Sequence, residues 1–340
     1  MDRCEGQMRQ NILTEQWVVY APQRARRPEA VAVPGALPSE NLPEKHAMCP
    51  FCPGNERKLT EIAFELEAES GDRWLTRAVP NKYPALSWEG RTKGAGIGPY
   101  LATSAFGRHE VIIESPLHNK DIPLMEPEQI VRVLETYVRR HRSFQADSEE
   151  ILSVIIFRNH GPASGTSLMH PHSQIIGAAV IPKYVHDKEA IAAEYFEREG
   201  RCSLCDVQAF ESSDGHRTIY ENASFLGMVP FAAEVPCEVW IIPKEHCPDF
   251  GRITESERLH LAEAMKNVLK AYRDRLEDPD YNYVIHSCSR QKADVPYLHW
   301  HLQIRPRTAV QAGFEIGSGI HINTSLPEED AKVLREQIAG

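Results

Sequence analysis

The chain carries one ordered set of chemistry-bearing residues twice, and this repeat constrains its fold more than any other feature. In the first copy, Cys49 and Cys52 precede a strand-like run from His109 to Glu114, which ends in Ser115-Pro116-Leu117-His118. A helical pattern follows from Glu126 to Ala146, with Ile130, Val133, Leu134, Tyr137 and Val138 on one face. A strand pattern from Ser153 to Phe157 then leads to His170-Pro171-His172-Ser173-Gln174. The second copy runs from Cys202 and Cys205 through Cys237–Ile242 to His246, then a helix from Thr254 to about Leu276. That helix opens on a capping-box signature, Thr254 and Glu257. Its strand, Tyr281 to Ile285, leads to His299-Trp300-His301-Leu302-Gln303. The register agrees closely: 52 residues separate His118 from His170, and 53 separate His246 from His299. The pattern predicts an α+β chain of two tandem units, residues 1–190 and 191–340, built of mainly antiparallel sheets with helices on one face. The second half-sheet is expected to continue or flank the first.

Four metal-ligand types recur in the same order: Cys49, Cys52, His118 and His170, then Cys202, Cys205, His246 and His299. Cys₂His₂ closes a tetrahedron around zinc without leaving a position for water, so two structural zinc ions per chain are expected. A redox Cys-x-x-Cys would not explain why each pair recurs with its own two histidines. On spacing alone, His286 is an alternative to His246 as a ligand. The 38 Lys and Arg against 48 Asp and Glu give a net charge of −10, which argues against nucleic-acid or acidic-membrane binding. The chain shows no apolar h-region and no membrane-spanning run, so a cytoplasmic protein with reduced thiols is expected.

On a strand, alternate residues share a face, so His170, His172 and Gln174 would point the same way. If His170 holds metal, His172 is left free beside it, a neutral imidazole able to attack phosphorus. The preceding loop, Gly161-Pro162-Ala163-Ser164-Gly165-Thr166-Ser167, can present backbone amides and hydroxyls to phosphoryl oxygens, and Gln174 is placed to donate to the same atoms. The second copy keeps His301 and Gln303, but its loop from Ser287 to Pro296 has no glycine and carries Asp294. The first copy is therefore the expected catalyst, with His172, Gln174 and Ser167 as its catalytic residues, and His301 reads as structural. Elsewhere, Pro34–Pro43 suits an irregular linker, 78–86 reads as loop, and the glycine run 93–99 as a mobile segment. The basic knot at Arg24, Arg26 and Arg27 reads, by composition alone, as a solvated loop.

Together these residues resemble the galactose-1-phosphate uridylyltransferase family of the histidine-triad superfamily. The resemblance extends to Leu13-Thr14-x-Gln16-Trp17-Val18, Pro22-x-Arg24-x-x-Arg27-Pro28, Cys49-Pro50-Phe51-Cys52-Pro53-Gly54-Asn55 and Ser115-Pro116-x-His118. Its most specific part is Asn159 through Gln174. The resemblance implies a two-step exchange in which His172 takes a nucleoside monophosphate from a nucleotide sugar, expelling hexose 1-phosphate, and passes it to a second sugar phosphate. The reaction implied first is uridylyl transfer from UDP-glucose to a hexose 1-phosphate. The family's phosphate and nucleotide contacts carry over to Arg24, Arg27, Asn81, Asn159, Gly165, Thr166, Ser167 and Gln174, with Phe314 and Glu315 as candidate sugar contacts. Two departures stand out. Lys82 follows Asn81 where well-known members have Asp, and the tail Ala312–Asn323 does not match their sugar-binding tail. That tail and the second Cys-x-x-Cys look closer to a branch including ADP-glucose phosphorylases, whose acceptor is inorganic phosphate. A homodimer is implied by the superfamily. A reading of another class is a zinc-stabilised nucleotide-binding module without turnover.

Overall fold

The structure, a computed structural model, describes residues 6–26, 42–89 and 94–340. Arg27 and most of the 34–43 segment lie outside the described residues. The N-terminal strands β1 (Gln7–Gln10) and β2 (Trp17–Tyr20) lead to β3 (Phe64–Glu67), β4 (Trp74–Pro80) and the hairpin β5 (Ala95–Ile97) and β6 (Tyr100–Ala102). Then come β7 (Gly107–Ile113), α1 (Pro127–Asp147), β8 (Ser153–His160) and β9 (His172–Ala178). The second half contains α2 (Lys183–Glu199), α3 (Ser203–Asp214), β10 (Thr218–Glu221), β11 (Phe225–Met228) and β12 (Val239–Pro243). It continues with α4 (Glu255–Arg275), β13 (Tyr281–His286), β14 (His301–Pro306), α5 (Gly313–Ser318), β15 (His321–Asn323) and α6 (Pro327–Ala339).

Ten strands form one antiparallel sheet in the order β10-β11-β12-β14-β13-β8-β9-β7-β4-β3. The halves meet where β13 pairs with β8, Tyr281 opposite His160 and Ile285 opposite Ile156, so the second half-sheet continues the first. The strand period of two divides this sheet into two kinds of face. Glu110 and Ile112 on β7, and Ser173 and Ile175 on β9, turn toward α1 and α4. There Ile130, Leu134 and Phe144 join Met265, Val268 and Tyr272 in a single apolar core shared by both halves. Arg140 on α1 clamps Glu110 with two bonds of 2.7 Å each. Val111 and Ile113 turn the other way and pack with Cys49, Phe51 and Cys52. In the second half Trp240 and Ile242 pack likewise beside Cys202.

Several expectations are corrected. Residues 78–80 belong to β4, a mostly buried strand, because Ala78 and Val79 are needed in the sheet opposite Ile112 and Val111. Gly96–Gly98 form part of a hairpin, with Gly98 at φ 61° supplying the turn conformation that glycine adopts freely. His170 precedes β9 rather than lying on it: Pro171, which has no N–H to donate, separates it from the first ladder residue, His172. The position 190/191 falls inside α2. The Thr254 and Glu257 capping box forms as expected.

Candidate functional site

The first Cys-x-x-Cys sits in a knuckle closed by Asn55, whose side chain donates to the Cys49 carbonyl at 2.8 Å. His118 follows the turn after β7, and His170 stands just before β9, so the sheet brings both to the knuckle. The four side chains converge, with every ligand atom within 4.8 Å of the others. Zinc bonds of about 2.0–2.1 Å to nitrogen and about 2.3 Å to sulfur imply tetrahedral edges of about 3.3 Å for N···N and about 3.6 Å for S···N. His118 and His170 Nδ1 are 3.3 Å apart, and the S···N separations are 3.5, 3.6 and 3.7 Å. Those spacings match a closed tetrahedron. His170 Nε2 donates to the Ser115 carbonyl at 2.8 Å, which turns Nδ1 inward.

Cys202, Cys205, His246 and His299 converge in the same way. Cys205 Sγ lies 3.4 Å from His246 Nδ1 and 3.5 Å from His299 Nδ1. Here Cys202 is the N-cap of α3, so both sulfurs sit at a helix N-terminus, where the dipole favours thiolate. Both groups fit zinc. Cys49, Cys52, His118 and His170 would hold one ion, and Cys202, Cys205, His246 and His299 the other. The metal's contribution would be cross-linking, since four protein ligands leave it no open position. His286 stands apart from the second group and bonds Gln303 Oε1 at 2.8 Å.

His172 is buried, and its Nδ1 donates to the His170 carbonyl at 2.8 Å. The tautomer is thereby set with the Nε2 lone pair free, and Nε2 has no hydrogen-bond partner among the described residues. Burial pulls the His172 pKa down to about 4, so the ring is neutral near pH 7. Asn159, Gly161 and Thr166 share a narrow cleft with His172. Gly165 and Ser167 occupy exposed positions on the loop above it. Gln174 continues the face two residues beyond His172, and its Oε1 lies 2.7 Å from His109 Nε2. Asn81 Nδ2 reaches the same Oε1 at 3.5 Å.

The loop is pinned by the other half. Gly161 has φ 79°, and a Cβ there would overlap the Asp280 carboxylate, which accepts the Ala163 N–H. Asn282 donates to Asn159 Oδ1 at 2.8 Å and to the Ser164 carbonyl at 3.0 Å. Just before the loop, His160 bonds Asp121 at 2.7 Å and stacks on Tyr281 at 4.6 Å. Asp121 and Asp278 outweigh its burial and raise its pKa to about 9, so His160 is an imidazolium at neutral pH. On the helix side of the sheet Arg158 pairs with Asp121 and, at 3.1 Å, with Glu114. Its charge holds the Asp121 carboxyl well below the usual range. Tyr137 of one half and Tyr283 of the other meet hydroxyl to hydroxyl at 2.5 Å in the same cluster.

The remaining sequence candidates lie further off. Arg24 is exposed after β2, and β1, β2 and β15 form a separate sheet anchored on the second half by Tyr20 to the Ala233 carbonyl at 2.9 Å. Arg24 lines neither the cleft at His172 nor the cleft at Asn81. Phe314 is exposed on α5, and Glu315 caps that helix through Ala312 N at 2.8 Å. Glu315 also lines a cleft of about 900 Å³ with Tyr184, His286, Gln303, Arg305 and His321. Sequence reasoning passed over His109, His160, Asp121, Asp280 and Asn282. Alternation with Val111 and Ile113 puts His109 on the site face, but only the β7–β9 pairing sets it beside Gln174. No local pattern marks Asp280 or Asn282. His301 is buried, stacked on His286 at 4.8 Å with both ring nitrogens unpartnered among the described residues.

A tandem α+β chain with two Cys₂His₂ groups and a buried histidine beside the first of them defines a narrow class. The model for the galactose-1-phosphate uridyl transferase N-terminal domain matches residues 1–182, and that for the C-terminal domain matches residues 186–339. The chain belongs to the galactose-1-phosphate uridyl transferase family. It is 35% identical to an ADP-glucose phosphorylase of Arabidopsis thaliana over 98% of this chain and 95% of the relative. It is 29% identical to a galactose-1-phosphate uridylyltransferase of Thermotoga maritima over 97% and 98% of the respective chains. Its structure resembles that of the Arabidopsis thaliana ADP-glucose phosphorylase with bound ADP-glucose, with TM-score 0.82, 32% identity and 98% coverage of each chain. A uridylyltransferase structure gives TM-score 0.75 at 25% identity, covering 98% of this chain and 99% of the other. Among the described residues no helix is long and apolar enough to cross a membrane.

Proposed function

We propose that the chain transfers a nucleoside monophosphate from a nucleotide sugar through a covalent adduct on His172. The observation that carries this reading is the pairing of a neutral, buried imidazole with a free Nε2 and an Nδ1–H held at 2.8 Å by the His170 carbonyl. Nε2 attacks the α-phosphorus. An N–P bond forms, the P–O bond to the sugar phosphate breaks, and the electron pair leaves on that oxygen. The Nδ1–H···O=C bond steadies the positive charge that develops on the ring. In the second step an acceptor phosphate oxygen attacks the same phosphorus and His172 leaves with its lone pair restored. Asn159, Thr166, Ser167 and the Gly165 backbone surround the phosphoryl group, and Gln174 donates to it. The zinc groups brace this face without taking part in the exchange.

The acceptor we favour is inorganic phosphate and the donor ADP-glucose, because similarity to the phosphorylase exceeds that to the uridylyltransferases in both sequence and fold. This reverses the order read from the sequence. Uridylyl transfer from UDP-glucose to galactose 1-phosphate is the second reading, and Lys82 and the tail at 312–323 separate the chain from its well-known members. Incubation with ADP-glucose or UDP-glucose labelled at the α-phosphate distinguishes them. ADP-glucose should label the wild-type protein, inorganic phosphate should discharge the label as ADP, and His172→Ala should take none. A protein that binds both nucleotide sugars and is labelled by neither is a binding module. Homodimer formation belongs to the same proposal, and light scattering of the purified protein tests it.

A further inference from the structure

We infer that His109 is a positioning residue that turns the Gln174 amide toward the phosphoryl group. The argument is one of donors and acceptors. The Ala85 N–H donates to His109 Nδ1 at 3.1 Å, so the proton of the neutral ring resides on Nε2. Nε2 therefore donates to its partner on Gln174, 2.7 Å away, and that atom must be the amide oxygen. A flipped amide would set two N–H groups against each other. Asn81 acts in the same sense. The Tyr83 N–H donates to Asn81 Oδ1 at 2.9 Å, and Asn81 Nδ2 lies 3.2 Å from His109 Nε2 and 3.5 Å from Gln174 Oε1; with the ring proton on Nε2, the oxygen is the acceptor of the two. Burial keeps the His109 pKa below its ordinary value, so the ring is neutral at working pH. With its oxygen occupied, Gln174 presents Nε2 as a donor that has no partner among the described residues.

The second half is an internal control. Val111 lies opposite Gln174, and Trp240 lies opposite Gln303. Two residues earlier on the same face stand His109 in one half and Glu238 in the other. Glu238 accepts from the Gln303 amide at 2.7 Å, while His286 Nε2 donates to Gln303 Oε1 at 2.8 Å. The donor available in the first half is consumed in the second, and a buried carboxylate faces the place where a phosphate would sit. One histidine-to-glutamate exchange thus separates a phosphoryl-binding glutamine from a structural one.

The inference rests on the nucleotidyl-His172 reading, so its test has one arm that does not. In ¹⁵N spectra of histidine-labelled full-length protein, with the resonance assigned by its loss in His109→Gln, His109 should show an unprotonated Nδ1 and a protonated Nε2. The reverse tautomer overturns the inference whether or not the protein turns over. The kinetic arm compares two substitutions of nearly equal shape. His109→Glu should lower kcat by about 10²-fold, the scale of one misdirected oxyanion donor. His109→Gln keeps a donor at that reach and should recover kcat to within about tenfold of wild type, while charge repulsion in His109→Glu appears separately in KM. Equal loss in both variants, or an unchanged kcat in His109→Glu, overturns it. Failure of wild-type protein to form an adduct sinks the nucleotidyl-transfer reading instead, and the spectra then decide the role of His109.

Discussion

The His172 ring is oriented by a main-chain oxygen two residues back, and the loop beside it depends on one departure from ordinary backbone. Gly161 holds φ 79° with no room for a Cβ beside Asp280. Strain of about 1–3 kcal/mol accompanies such a conformation in other residues, before any overlap is counted. Gly161→Ala should therefore displace the loop and slow adduct formation more than tenfold relative to wild type, on the order of that strain. Stopped-time labelling measures it, and an unchanged rate would show the loop to be more compliant than its contacts suggest. His160 adds a pH dependence. Its pKa is raised in the folded chain to about 9, against about 6.5 for a free histidine. The stability it contributes is fully present below about pH 6.5 and is lost as pH rises through about 9, on the order of 3 kcal/mol. Thermal unfolding of wild type should weaken over that window, and His160→Gln should be less stable at pH 6 and lack that part of the slope.

At the level of elements, the two Cys₂His₂ groups tie loops to strands. Cys-x-x-Cys spacing made both legible, and the matching order of histidines named the other ligands, because zinc accepts few donor sets. Cys49→Ser and Cys202→Ser should each lower zinc content from about two to about one per chain, measured on purified protein by elemental analysis. Chelation should lower the unfolding temperature of wild type. Loss of both ions from either single variant would mean the sites are coupled. Helix α1 and helix α4 were legible from apolar period and cap, and Thr254→Ala should cost about 1 kcal/mol by removing one side of the capping box. Helix α3 escapes such reading because it buries Ser203, Gln208 and Glu211 beside Leu204, which leaves no apolar stripe. The hairpin at 95–102 escapes because its strands are three residues each and the second is exposed.

Across the whole molecule, the repeat is a device for building one sheet and one core. Strand β13 covers the edge of β8, α1 and α4 share an apolar core, and Asp280 and Asn282 of the second half hold the loop of the first. Residues 1–190 expressed alone should consequently aggregate or remain unfolded, since the cut bares a strand edge and half the core. A soluble, cooperatively folding fragment in circular dichroism and thermal melts would refute that.

The sequence by itself determined the α+β repeat and the two Cys₂His₂ sets, and it placed His172 two residues beyond a member of the first. These follow from local periodicity and from ligand chemistry, which a linear spacing can express. Tertiary structure alone decided which groups surround that histidine. His109 reaches Gln174 across a strand pair, His160 meets Asp121 across the sheet end, and Asp280 reaches Gly161 from the other half of the chain. Each is a contact between residues far apart along the chain, and the direction of an amide or the side of an imidazole that bears the proton is settled only by the partner facing it.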